Sequence, residues 1–243
     1  MGKKYTVNKG FFNKQTPLSC YWAGFISADG CINDSKSLIN SNWSKSLKIE
    51  LAEKDEAHLV RFKRDIEYTG RVAKCNHRAY TYPSGKVRVQ KNSYVVEIFS
   101  NELCESLERN FKITPRKSLN AIPPEIEDLN NKLSFIAGLI DGDGWLSIYK
   151  NGKVEIRLLG TKAMLAWVRD TISQIVPIKG KASIAHPSKN QRVYVLRYVT
   201  QQDVSNVFGL LSNLQTIGIP LLDRKWEDKK QELNNILTSK GIT

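Results

Sequence analysis

Ile136-Ala137-Gly138-Leu139-Ile140-Asp141-Gly142-Asp143-Gly144 decides how this chain reads, because Trp22-Ala23-Gly24-Phe25-Ile26-Ser27-Ala28-Asp29-Gly30 repeats it without a gap. Both stretches run apolar-Ala-Gly-apolar-Ile-polar-small-Asp-Gly. Each reads as a helix that stops at its last glycine. Thr16-Pro17 starts the first, with Thr as N-cap and Pro at the first helical position. Gly30 and Gly144 suit the left-handed residue just past a helix end. Gly24 and Ala28 are one helical turn apart, as are Gly138 and Gly142, so each helix carries a face of small residues. Such faces let two backbones approach closely, and the expectation is that the two helices pack on each other there.

Asp29 and Asp143 then lie at the same end of the pair. A helix C-terminus carries partial negative charge, a poor place for a carboxylate. Two acids brought together there also repel. A divalent cation with oxygen ligands relieves both problems. One Asp-Gly would mean only a turn; two gap-free copies with the same small-residue face point to a shared role.

Outward from the repeats, each half reads helix, two strands, helix, two strands, helix. In the first half the expected elements are a motif helix at 17–29, a weak strand at 32–39 and a strand at 46–51. A helix at 54–68, strands at 71–82 and 86–99 and a helix at 101–111 follow. Ser46-Leu47-Lys48-Ile49-Glu50-Leu51 alternates strictly, so Leu47, Ile49 and Leu51 face inward. In the second half a motif helix near 132–143 leads into a hairpin around Asn151-Gly152, a strong turn signal. A helix at 161–175, strands at 181–186 and 192–200, and helices at 201–214 and 223–237 complete it. The fold class is α+β: two pseudo-symmetric αββαββα halves with antiparallel sheets. The halves span 1–120 and 132–243, joined by a linker at 121–131 that holds Pro123-Pro124. Residues 1–15 read as a basic, mobile arm.

The chain has 243 residues, of which 41% are hydrophobic, enough for a real core. Its formal net charge of +13 and pI near 9.5 give it a sequence-independent attraction for polyanions, nucleic acid above all. Cys20, Cys31, Cys75 and Cys104 show no paired or zinc-binding spacing, so an intracellular, reducing compartment is expected, an organelle or a prokaryotic cytoplasm. No apolar run approaches the roughly 20 residues of a membrane span, so no membrane partner is expected. Trp22 and Trp167 fall in helical apolar patterns and read as core.

The repeated pattern resembles the LAGLIDADG homing endonucleases, in the single-chain form with two motif copies. The second copy matches closely; the first departs at Trp22, Phe25 and Ser27 but keeps the final acid and its Gly. The resemblance implies a monomer whose two sheets form a saddle along double-stranded DNA. It implies a metal-dependent, site-specific endonuclease, encoded within an intron, that cuts both strands with Mg²⁺ or Mn²⁺. The final motif acid binds the catalytic metal, so the carry-over falls on Asp29 and Asp143, with Ala28 and Gly142 beside them. Ser27 stands where the family has an acid of structural role. Arg116-Lys117 recurs as Arg224-Lys225, and the family carries a basic residue near this place, so Lys117 and Lys225 are candidates for polarising water or phosphate. A polar side chain from the second strand helps order water at the site. Aligning Leu47–Leu51 with Val154–Leu158 gives that role to Glu50 and Arg157, and their difference implies unequal cutting of the two strands.

The same alternation puts Asn33, Ser35, Ser37, Ser46, Lys48, Arg88 and Gln90 on the DNA face of the first half. Ser147, Tyr149, Asn151, Lys153, Glu155, Arg192 and Tyr194 take it in the second. Arg and Gln read base edges there, and Lys holds phosphate. The alternative within the same family is a maturase, a protein that binds intron RNA and helps splicing without cutting.

Overall fold

The structure, a computed structural model, describes residues 5–36, 43–75, 80–82, 84–85, 87–88, 91–117, 120–149, 151–186 and 193–239. Helix α1, Pro17–Asp29, begins with a capping box: Thr16 accepts from the Ser19 amide, and the Ser19 hydroxyl accepts from the Thr16 amide. Helix α4, Leu129–Asp143, is capped by Asp128, which accepts from the Asn131 amide. It starts ahead of the expected position near 132.

These two helices form the heart of the molecule, buried along most of their length. Their small residues are what permit the contact. A Cβ on Gly24 would land on the Phe135 carbonyl oxygen, and one on Gly138 on the Tyr21 carbonyl oxygen. One on Gly142 would land on the Ala28 methyl. The expected interface of Gly24, Ala28, Gly138 and Gly142 is therefore present.

Gly30 and Gly144 depart from expectation. Their φ values are −87° and −102°, extended rather than left-handed, and each opens a strand directly. Glycine is needed for space instead: a Cβ on Gly30 would sit 2.8 Å from the Ile26 oxygen, and one on Gly144 2.8 Å from that of Ile140.

Each motif helix leads into a four-stranded antiparallel sheet. The first comprises β1 (Gly30–Lys36), β2 (Trp43–Ala52), β3 (Ala73–Cys75) and β6 (Ser93–Phe99), in the order β1-β2-β6-β3. Between β3 and β6 lies a separate two-stranded ribbon, β4 (Tyr80–Thr81) and β5 (Val87–Arg88). The second sheet comprises β7 (Gly144–Ile148), β8 (Val154–Gly160), β9 (Ser183–Ala185) and β10 (Tyr194–Tyr198), in the matching order β7-β8-β10-β9. Helices α2 (Glu56–Asp65) and α3 (Asn101–Phe111) pack on the first sheet, and α5 (Lys162–Ser173) and α6 (Gln201–Ser212) on the second; α7 spans Glu227–Ser239. Leu47, Ile49 and Leu51 are buried under helices as expected, with Val154, Ile156 and Leu158 as their counterparts. Among the described residues, the opposite face of each sheet carries no helix of its own, as an antiparallel sheet permits.

Residues 5–16 are not a free arm. The Asn8 amide donates to the Ile66 carbonyl (2.9 Å), and Phe12 is fully buried against Phe111, their centroids 6.0 Å apart. The linker is docked too: Gln15 donates to the Glu125 carbonyl at 3.0 Å, and Ile126 is buried. Cys20 and Cys104 are buried thiols, as expected, and burial pushes both up to about 12. Trp22 is fully buried and Trp167 packs edge-on against Phe135. Among the described residues, no helix is long and apolar enough to cross a membrane.

Two bidentate pairs reinforce the junction of the halves. Arg224 grips Asp55 at 2.7 and 2.9 Å, and Arg61 grips Asp223 at 3.1 and 2.7 Å. Each guanidinium fork matches one carboxylate, which fixes orientation as well as distance.

Candidate catalytic centre and nucleic-acid face

Asp29 and Asp143 end α1 and α4 at the same end of the helix pair. Both carboxyls are raised above the ordinary carboxylate range. Burial is the main cause for Asp143, pushed to about 6, and the Asp29 charge adds to it while Lys117 and Lys225 oppose it. Burial also raises Asp29, against Lys225, Lys117 and Arg224. Even so, both residues stay open to solvent on one side. The donors suit a hard divalent ion. Among the described residues no cluster of three or more His, Cys, Asp or Glu is grouped to hold a metal, so the acids stand as a pair. Mg²⁺ needs only one or two carboxylates, with water and phosphate oxygens completing its shell. Ala28 lies against Gly142, and the Gly142 carbonyl accepts from Lys225 at 3.3 Å.

Lys117 and Lys225 reach this same end, but not as free cations. Lys225 donates to the carbonyls of Ile140 (2.8 Å), Asp141 (2.6 Å), Gly142 and Gly144 (2.5 Å). Lys117 donates to the Gly30 carbonyl at 2.5 Å. The last carbonyls of a helix lack intrahelical partners, and both ammonium groups fill that need. Only 8% of Lys117 and 7% of Lys225 is exposed, and burial lowers both, Lys225 to about 8.

Asp141 belongs to the scaffold and not to the open site. It is buried and accepts from the Tyr21 hydroxyl (2.7 Å), the Leu222 amide (2.9 Å) and the Trp226 indole (2.6 Å). Tyr21 in turn meets His58 Nε2 at 3.0 Å. Burial lowers His58 to about 3, so its ring is neutral.

The strand register corrects one expectation. Gly30 pairs with Ile49 and Gly144 with Leu158. Counting from these anchors, Lys48 is the counterpart of Arg157, and Glu50 is the counterpart of Leu159. Glu50 and Arg157 are therefore not equivalent. Glu50 accepts from Ser93 (2.6 Å) and pairs with Lys48 (2.9 Å). Arg157 lies one step further from the acids, paired with Glu155 and centred 5.5 Å from the Trp145 ring. Leu159 lines a cavity of about 240 Å³ together with Asp143 and Lys117.

No protein-family model matches this sequence, and no curated protein matches it. Solved structures do. I-GzeII, a LAGLIDADG homing endonuclease in complex with a DNA target, superposes with a TM-score of 0.55 at 13% identity, covering 94% of this chain and 93% of that one. I-CpaMI, a LAGLIDADG meganuclease bound to uncleaved DNA, gives 0.56 at 13% identity, covering 93% and 92%. The chain has the LAGLIDADG homing endonuclease fold. A variant of I-DmoI with its target DNA and Mg gives 0.54 at 16% identity, covering 81% and 96%.

Within this LAGLIDADG fold the open faces carry most of the expected residues. Asn33 and Ser35 are exposed, and Ser46 donates to Glu97 at 3.0 Å. Lys48 shares their face. Ser147 on β7 and Tyr149 just past its end take the corresponding places, and the side chain of Asn151 accepts from the amide of exposed Lys153 (3.1 Å). Glu155 is 6% exposed, held by Arg157 and by the Tyr149 hydroxyl at 3.3 Å. Ser37, Gln90 and Arg192 lie outside the described residues. Arg88 pairs with Tyr80 in the small ribbon. Tyr194 is a correction: it shares the parity of buried Leu196 and Tyr198 and packs against the core, so it lies on the covered face. Its neighbour in the alternation, Arg197, takes the open face, opposite Arg157. Glu97, Trp145 and Phe99, the last 72% exposed, were also absent from the expected set. Buried Leu196 and Tyr198 were the signal that could have assigned Arg197.

Proposed function

We propose that this chain is a site-specific homing endonuclease that acts as a monomer on a long double-stranded DNA site and is encoded within an intron. The observation that carries the reading is that Asp29 and Asp143 lie at the same end of two packed helices, each leading directly into its own antiparallel sheet, in a protein of net charge +13.

Duplex DNA lies along the open faces. Lys48, Lys153 and Arg197 contact phosphates or base edges, and Asn33, Ser35 and Ser147 supply shorter hydrogen bonds. Asp29 and Asp143 would hold Mg²⁺ or Mn²⁺, whose chemistry when bound is to stabilise charge on attacking and leaving oxygens. Lys117 and Lys225 keep the carbonyls at the helix ends satisfied and offset the charge of the two acids. Glu50 orients a water beside Asp29. The three neighbours described above include DNA complexes, which supports the same partner here.

The test is selection of cleavable sites from a randomised duplex library by the purified protein in Mg²⁺. The expected result is one enriched site, cut on both strands, with affinity that falls steeply as salt rises because bound Lys and Arg release counterions. No cleaved duplex, with tight binding to a structured intron RNA instead, would replace this reading with the maturase one.

A further inference from the structure

We infer that helix α2 of the first half positions the acid of the second: Asp55 and Arg61, with His58 between them, hold residues 221–226 so that Lys225 keeps the backbone around Asp143 in place. The inference rests on the endonuclease reading above.

Asp55 at the head of α2, His58 and Arg61 follow one another at three-residue steps, a spacing that puts side chains on one helical face. That face meets a segment 160 or more residues further along the chain. Arg61 donates to the Leu221 carbonyl at 3.3 Å and to both oxygens of Asp223. Arg224 donates to both oxygens of Asp55. Between the two forks His58 meets the Tyr21 hydroxyl, which donates to Asp141, and Asp141 accepts from the Leu222 amide and the Trp226 indole.

Lys225 is the member of this segment that reaches the site. Its ammonium donates to carbonyls on both sides of Asp143, those of Gly142 and Gly144 among them. The backbone that carries the Asp143 carboxylate is thus held by Lys225, and Lys225 is held through its neighbours. A displacement of about 1 Å can cost about 100-fold in a reaction that depends on alignment. Helix α2 itself packs on β2 and β6, with Leu59 and Phe62 buried, so the clamp links the first sheet to the second acid.

The other side of the junction is built differently. Phe135, which aligns with Tyr21, has no hydroxyl and packs edge-on against Trp167 of α5 at 5.9 Å. Ser27 stands where the second motif has Asp141. Asp170 of α5 pairs with its own neighbour Arg169, and among the described residues no ion pair joins α5 to residues 113–117. Ion pairs hold a junction no better than well-packed apolar side chains do, so adhesion alone does not account for the polar side. What two guanidinium forks add is a fixed orientation.

The experiment uses the full chain and a duplex carrying a site selected from the randomised library, with single-turnover cleavage followed in Mg²⁺ under excess protein. Arg61→Asp should slow cleavage about tenfold through lost alignment, and Asp223→Arg added to it should restore most of the rate. Asp55→Asn should slow cleavage at least as much. DNA affinity in Ca²⁺ should be unchanged in all of them. Leu107→Ala, which opens a cavity in α3 and removes no hydrogen bond, should lower the melting point yet cleave at the parental rate while folded. If Asp55→Asn does not fold, the more exposed Arg61–Asp223 pair carries the test alone. Parental rates in the clamp variants, equal slowing in Leu107→Ala, or a loss confined to DNA affinity would overturn the inference and leave the endonuclease reading intact. A double variant no faster than Arg61→Asp would overturn it as well. A parent that cuts no duplex overturns both.

Discussion

Lys117 gives one hydrogen bond to the end of its motif helix, whereas Lys225 gives four. The flanking arginines differ in the same sense: Arg224 grips Asp55 across the junction, and Arg116 takes a left-handed backbone with φ of 59°. At the equivalent position on the second strand the halves differ again, with polar Glu50 in the first and Leu159 in the second. One plan has thus been used twice with different emphasis. The motif-helix end of the second half is tied more fully into the scaffold than that of the first. Sharing a fold fixes where groups stand, and the individual side chains decide what each copy does.

The largest expected effect tests what the halves hold in common. If both acids serve one shared centre, Asp29→Asn and Asp143→Asn should each cut activity by about a thousandfold or more on both strands, equivalent to several kcal/mol of lost charge stabilisation. Plasmid cleavage in Mg²⁺ reads this, with DNA binding in Ca²⁺ retained. A variant that loses only one strand would show that each acid serves its own half.

Packing comes next. Gly138→Leu and Gly24→Leu should each destabilise the fold by about 3 kcal/mol or more, since overpacking already costs about 1–3 and here the obstacle is backbone. Denaturant melts check it. Gly209→Ala is the control of opposite sign: nothing lies within 4 Å of its added Cβ, so replacing a helical glycine should stabilise by about 0.5–1 kcal/mol.

The lysines should then separate the halves. Lys225→Met leaves buried Asp141 and several carbonyls without their cation and should cost about 3 kcal/mol, against about 1 for Lys117→Met. Equal losses would mean that the two caps are equivalent after all.

The smallest effect concerns pH in metal-free protein. The Asp143 carboxyl is raised from 3.8 to about 6 on folding, so between those values the folded chain binds more protons than the unfolded one. Its ionisation therefore works against folding above about pH 6, and that penalty fades as pH falls toward 4. Asp143→Asn should melt slightly higher than the parent at pH 8 and equally at pH 4. A gap that widens on acidification would reverse the sign. His58 sets the background in both proteins: it is held near 3 against an ordinary 6.5, so stability declines as pH drops through that window.

Much of this was legible in the sequence because it is local. Thr16-Pro17, the spacing of Gly24 and Ala28, and the Asn151-Gly152 turn each act within one helical turn or one hairpin. What failed was long-range. The two halves join their first strand pair by connections of different length, so sequence similarity pairs Glu50 with Arg157 whereas the ladder makes Leu159 its counterpart. The docking of residues 5–16 depends on Phe111 and Ile66, far along the chain, although Phe11-Phe12 was a hint of it. Gly30 could be recognised as special, but its composition does not distinguish a left-handed turn from a close approach to Ile26. Alternation alone does not say which side of its strand Tyr194 takes; the pairing of Leu196 and Tyr198 with buried Leu158 and Ile156 decides it.

The ties of Asp141 also set a timetable. A ribosome delivers the motif helix α4 long before Leu222, Lys225 and Trp226, which close over its last turn. Until they arrive, a buried carboxylate and the carbonyls at the helix end wait for partners, and Asp55 waits for Arg224. Nascent chains that stop short of this segment therefore lack a settled centre. Most of the protein must therefore be made before the ends of its two motif helices can settle.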